Sequence, residues 1–317
     1  MKKARYLQSS ICAIIIWVAV VPLLAQEHLV FTPHWRAQAQ FAGYYVAKEM
    51  GFYQEVGLDV DIVHPLATQS PIDCIRSGEC QVVTMQLCQA LDVIDNSIPI
   101  VNILQTSMNS STIIISRRDK NPLSQKGAKV GTWPNFDAMT VCMSMREHLD
   151  YEWVHLVSSV NLFIKGGLDA MAAMSYNEYY QLKQAGFALP EEHICRLGDH
   201  GFNVQEDGAY MTQSYYRSHK KQAQKFAQAS RKGWEWAASH PEEALEIVMK
   251  YVREDMVGTN RTLQKFMLEE VLRQQIDKQS GKREFRLRPD MVKLASRLMV
   301  GSHLLKHEVK YEQLIDK

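Results

Sequence analysis

Three stretches concentrate side chains able to recognise a small molecule. Trp35 stands in "PHWRAQAQF" (33–41), Trp133 and Phe136 in "GTWPNFDA" (131–138), and Tyr176, Asn177 and Glu178 in "MSYNEYY" (174–180). Indole and phenol rings stack on flat ligands. A carboxylate accepts hydrogen bonds from an exocyclic amine or a ring N–H, and an amide offers both a donor and an acceptor. Together they suit a planar, mostly neutral heteroaromatic molecule that is held rather than transformed. Each also has a plainer role. Trp35 reads equally as a surface aromatic, Tyr44 and Tyr45 as helix core, and Trp133 as packing between lobes. Asn177 can cap a helix with Glu178 as a first-turn charge. Pro134 removes a backbone donor from its turn and the neighbouring rings add bulk, which argues against a phosphate site there.

Bond-making chemistry finds little support. Ser, His and Asp occur, but neither a nucleophile elbow nor an HExxH pair does. His303 and His307 are four apart on an expected helix, a metal-compatible spacing with no evident third ligand. Gly166-Gly167 reads as a loop or helix break. No catalytic residue, metal or cofactor is expected.

The elements that position these residues follow from periodicity. "HLVFTP" reads as a strand, "AGYYVAKEMGFYQEVG" as one helix ending at Gly57, and "LDVDIVHP" as an alternating second strand. Further helices and strands follow in alternation to "IPIVNILQ" (98–105), which predicts a parallel α/β sheet with right-handed crossovers. "STIIIS" (111–116) is a further strand, placed with the first block. A polar boundary from Arg117 to Pro122 precedes a second α/β series. Another boundary, "NVQEDG" (203–208), precedes an almost wholly helical tail from Gln213. The expected organisation is a leader over 1–25, a first lobe over 26–116, a second over 117–207, and 208–317 returning to the first lobe. Two chain crossings, near 116 and 208, would form the hinge.

Ligands of open α/β sheets sit at the carboxyl ends of the strands. That rule selects Trp35, Gln40 and Tyr44 after the first strand, Thr68 and Gln69 after the second, Met85 and Gln86 at the third, and Ser107 after the fourth. In the second lobe it selects Trp133, Asn135 and Phe136, then Tyr176, Asn177 and Glu178. Charge is scarce at these ends, with only Arg36, Asp137 and Glu178.

A basic start (Met1-Lys2-Lys3-Ala4-Arg5) and a short apolar run ending at Ala25 read as a secretory leader cut after Ala25, or else as an uncleaved anchor. Cys12 lies inside the run, so a lipoprotein is not favoured. Lys and Arg number 36 against 35 Asp and Glu, and this balance gives no sign of nucleic-acid binding. Five cysteines follow the leader: Cys74, Cys80, Cys88, Cys142 and Cys195. Cys74 and Cys80 could bridge in an oxidising compartment, or all five could be small buried hydrophobes.

"QFAGYYVAKEMGFYQEVGLDVDIV", "MSYNEYYQLKQAG" and "KFAQASRKGWEWAASHPEEALEIV" resemble the substrate-binding proteins that deliver thiamine pyrimidine precursors and related heteroaromatics to ABC transporters. The resemblance spans nearly all of the chain after the leader. It implies a type II periplasmic binding fold: two α/β lobes joined by two hinge crossings, with the helical C-terminal segment packed on the first lobe. It further implies an extracytoplasmic monomer, a small heteroaromatic ligand, and a membrane permease or a sensor kinase as partner. It also implies ligand contact from the turn around Trp133 and the helix that follows. The fungal thiamine-pyrimidine synthase belongs to the same superfamily and uses a lysine, a histidine and a cysteine cluster. Here the corresponding stretches read "TMQLCQALD" and "HGFNVQEDGAY", which lack those residues in the required places.

Overall fold

The computed structural model describes residues 26–65, 70–117, 121–133, 137–157 and 159–316. The leader, Thr68, Gln69, Asn135 and Phe136 lie outside them.

The first lobe begins with β1 (Glu27–Thr32), α1 (Ala42–Glu49), α2 (Phe52–Glu55), β2 (Leu58–Ile62), α3 (Pro71–Ser77), β3 (Val82–Gln86), α4 (Leu87–Asp95) and β4 (Ile100–Gln105). The second lobe holds β5 (Thr112–Ser116), β6 (Lys129–Thr132), α5 (Ala138–Arg146), β7 (Glu152–His155), α6 (Asn161–Ile164), β8 (Ala170–Met174), α7 (Glu178–Gln184) and β9 (Ile194–Arg196). The chain then returns through β10 (Asp207–Thr212), α8 (Gln213–Ser218), α9 (Lys220–Ser239), α10 (Pro241–Glu254), α11 (Arg261–Gln274) and α12 (Pro289–Gly301). The expected single helix over 42–57 is two, because Gly51 adopts φ 74° and interrupts it.

Two five-stranded sheets result, ordered β2-β1-β3-β10-β4 and β7-β6-β8-β5-β9. Neither is wholly parallel, which corrects the expectation from alternation alone. β10 runs antiparallel to β3 and β4, and β5 runs antiparallel to β8 and β9. A helical crossover is what returns a chain parallel to its previous strand. The segments 106–111 and 201–206 carry no such helix, so each delivers its strand the other way round. Residues 112–116 therefore pair in the second sheet rather than the first, and the first crossing lies at 106–111. β10 was not anticipated as a strand at all.

The aromatic opening of α1 is explained by the tail. Tyr45 stacks on Tyr251 of α10 at 4.1 Å, and Tyr44 lies against Phe31, Phe226 and Trp234. The hydroxyl of Tyr53 hydrogen-bonds Ser230 of α9 at 2.8 Å. α1 and α9 cross backbone to backbone at two glycines. A Cβ on Gly233 would lie 2.0 Å from the Gly43 carbonyl, and one on Gly43 would lie 2.2 Å from the Trp234 ring. Only glycine allows that approach, and it seats Trp234 with no solvent exposure. The tail also reaches the second lobe, through α11 on α7 and α12 on α5.

The five described cysteines are free thiols, four of them buried. His303 and His307 follow the end of α12 rather than lying on a helix, so the four-residue spacing does not align them. Among the described residues no helix is long and apolar enough to cross a membrane.

Candidate functional site

A narrow cleft with a cavity volume of about 40 Å³ lies between the lobes, at the carboxyl ends of β1, β3, β6 and β8. The loop after β1 supplies His34, Trp35, Gln38 and Gln40, and β3 ends in Gln86. The second lobe supplies Trp133 after β6, and Met174, Tyr176, Asn177 and Glu178 around the start of α7. Trp35 and Trp133 face each other from opposite lobes, with ring centroids 6.3 Å apart and planes at 82°. The Trp133 N–H donates to the Ala172 carbonyl at 3.2 Å, which fixes its ring.

Glu178 opens α7 and is 6% exposed. One carboxylate oxygen accepts the Met174 backbone N–H at 2.7 Å, and the other accepts from Asn177 Nδ2 at 2.9 Å. Burial outweighs these bonds and pushes its pKa up to about 7. Asn177 occupies the cap position without capping by its side chain. Its amide bridges Glu178 and Gln181 instead.

On the other wall, Gln38 Nε2 donates to Gln40 Oε1 at 2.6 Å, and Gln40 Nε2 donates to Asp207 Oδ2 at 2.6 Å. Burial pushes Asp207 up to about 6. His34 Nδ1 lies 2.8 Å from Thr84 Oγ1, and its Nε2 lies 3.3 Å from Gln40 Nε2. Burial lowers its pKa to about 3, so the ring is neutral. Arg36 turns away from the cleft to pair with Asp255, its Nε 2.8 Å from Oδ2.

Behind the cleft the two crossings are tied by one side chain. Glu206 accepts from the Ser110 hydroxyl (2.8 Å), the Ser111 N–H (2.9 Å), and the Thr112 N–H and hydroxyl (3.1 and 2.8 Å). The Ser111 hydroxyl also donates to it. Burial raises its pKa against the pull of these donors.

Of the residues selected from the sequence, Trp35, Gln40, Gln86, Trp133, Tyr176, Asn177 and Glu178 come together. Tyr44 does not, being core between α1 and α9, because helical periodicity turns it toward the tail. Met85 is buried under the sheet among residues of α3 and α4. Ser107 belongs to the hinge, where its hydroxyl accepts the Glu206 N–H at 2.7 Å. His34, Gln38 and Met174 were missed, although all three sit inside the stretches singled out. Asp207 was missed because "QED" read only as a boundary.

The site gives ligand-free stability a definite pH dependence. Glu178 binds its proton more tightly folded than unfolded, so its contribution is fully present below the unfolded carboxyl pKa and is lost as pH rises through about 7. Asp207 acts alike up to about 6. His34 acts oppositely, its lowered pKa costing stability as pH falls from 6.5 towards 3. The histidine contribution is nearly spent only by about pH 7.5, but the loss at Glu178 exceeds what remains of it, so stability should fall modestly from pH 6.5 to 8. Urea unfolding at fixed pH values checks this, and Glu178→Gln should flatten the slope.

Two lobes, each on a mixed five-stranded sheet, with a cleft between them at the strand ends, are the architecture of the periplasmic binding proteins. Solved structures share this fold. The aliphatic sulphonate binding protein SsuA of Escherichia coli superposes with a TM-score of 0.66 at 14% identity, covering 91% of this chain and 97% of that one. The ligand-binding component of an ABC-type import system from Staphylococcus aureus gives 0.67 at 9% identity, covering 92% and 97%. The chain belongs to the NMT1/THI5 like family, which matches residues 38–244. It is similar to the formylaminopyrimidine-binding protein of Halalkalibacterium halodurans, 28% identical over 239 residues, 68% of each chain.

Proposed function

We propose that the chain is the extracytoplasmic solute-binding protein of an ABC importer and that it binds a small amino-substituted heteroaromatic of the thiamine pyrimidine-precursor kind. The observation that carries this reading is the cleft itself, where Trp35 and Trp133 line the same walls as the Glu178 carboxylate and a set of amides. Stacking would hold a flat ring, and the carboxylate and amides would read its edge. The resemblance to a formylaminopyrimidine-binding protein supports the same ligand class. Closure of the lobes would bury the ligand, driven by its higher affinity for the closed state.

Binding without chemistry fits the lining better than synthase chemistry does. Among the described residues no lysine or cysteine lines the cleft, and its imidazole, His34, is neutral and engaged by Thr84 and Gln40. Native mass spectrometry of exported protein, followed by thermal-shift screening, tests the proposal. Aminopyrimidines or flavin-like heterocycles should raise the melting temperature. A response to sulfonates or nitrate alone would overturn it.

A further inference from the structure

The contacts of the helical tail with the second lobe, α12 on α5 and α11 on α7, differ in kind. Where α12 meets α5, Val292, Ala295 and Met299 join Met139, Cys142 and Met143 in a buried cluster that continues into α4. Where α11 meets α7, the rings in contact are only half-buried. Phe266 of α11 stacks on Tyr180 of α7, with ring centroids 4.3 Å apart and planes at 18°. Tyr179 lies against the same ring at 6.4 Å. About one turn further along α7, Gln184 and Asn260 exchange amide hydrogen bonds, Nε2 to Oδ1 and Nδ2 to Oε1, both at 3.2 Å.

This contact is wired to both walls of the cleft. α7 opens on Glu178, two residues before Tyr180. α11 is fixed to the opposite wall by Gln264, whose Oε1 accepts the Ala39 N–H at 2.7 Å, between Gln38 and Gln40. The end of α11 is fixed to the first crossing, where the Gln274 carbonyl accepts the Met108 N–H at 2.9 Å. Phe266 lies about 12 Å along the helix from Gln274, and Asn260 about 21 Å. The contact therefore acts on the hinge through a lever arm. The cleft beside it, at about 40 Å³, is far smaller than the roughly 300 Å³ or more of a small-molecule site. A ring compound enters or leaves only when the lobes part. Parting them about the crossings draws α7 away from α11, which stays with the first lobe.

We propose that the α7–α11 contact is an inter-lobe latch, which holds the lobes together whether or not the site is filled, so that ligand exchange waits on its release. The latch goes beyond the proposed function and does not depend on which ligand binds. Its parts suit a contact that opens and re-forms. Half-buried rings and exposed amides can take up water on separation without leaving a buried polar group unpaired. Separating α12 from α5 would instead expose core.

Single-molecule energy transfer between one dye on each lobe, in the whole protein freed of co-purified ligand, tests the latch. The unaltered protein should be mainly closed. Phe266→Ala should raise the open-to-closed ratio about two- to tenfold, the scale of a stacked aromatic pair. Tyr180→Ala removes the facing ring from the other lobe and should match it. Adding Gln184→Ala to either should raise the ratio further, while Phe266→Tyr keeps the stack and should stay near the unaltered value. A mainly open unaltered protein, or one ratio shared by the unaltered protein and both ring deletions, would overturn the latch and leave the proposed function standing. The reverse holds for a protein that latches but binds no aminopyrimidine.

Discussion

Replacing Glu206 with alanine should destabilise the protein by about 2–4 kcal/mol, since each buried donor left without a partner costs about 1–3 kcal/mol. Glu206 sits on the second crossing and gathers the Ser110, Ser111 and Thr112 donors of the first. The Ser111 backbone N–H cannot rotate towards another acceptor, while the Thr112 N–H also reaches the Ser110 hydroxyl oxygen at 3.2 Å. A cavity of about 10 Å³ already adjoins Glu206, next to Gln86, Thr112 and Gln205, and truncation of the carboxylate would enlarge it. Water entering there would return part of the loss, which keeps the expected cost below the sum of its parts. Glu206→Gln retains one acceptor oxygen and should fall between the two. Denaturant unfolding of the three proteins measures the order. Small-angle scattering should also show a wider spread of lobe arrangements in the alanine variant, because the tie joins the two segments about which the lobes turn.

The second large effect concerns Trp35. It is half-buried in the loop after β1, so truncation should cost little fold stability, whereas Trp133 is buried in the second-lobe core and would confuse the two effects. Loss of a central aromatic anchor typically costs about 2 kcal/mol or more in binding, roughly thirtyfold in Kd. Trp35→Ala should therefore bind the aminopyrimidine about thirtyfold more weakly at nearly unchanged melting temperature. Trp35→Phe keeps a ring face and should recover most of the affinity. Equal binding by Trp35→Ala would mean that the ligand rests on Trp133 alone.

Much of this architecture was legible because burial imposes periods on a sequence. The alternation in "LDVDIV" marks β2, whose Leu58 and Val60 are buried and whose Asp59 and Asp61 are exposed. The strand-end rule found both tryptophans and the Tyr176–Glu178 run, since loops at those ends face the cleft whatever their conformation. Direction was not legible. β5 and β10 carry apolar patterns that fit either sheet, and only the short crossings before them decide which sheet they join and which way they run. Tyr44 misled for a related reason. Its neighbours in sequence belong to a ligand-facing loop, while its neighbours in space belong to α9, nearly two hundred residues away. Asp207 and Glu206 were hidden by their setting, since a charged pair between elements reads as solvent-facing until the fold buries it.

The most direct test of the central claim is isothermal titration of the exported protein with an aminopyrimidine at pH 8, where Glu178 is ionised. Saturable one-to-one binding with a Kd of about a micromolar or tighter, roughly 8 kcal/mol, is the predicted result. Absence of binding at millimolar aminopyrimidine, in protein freed of any co-purified ligand by unfolding and refolding, would contradict the account.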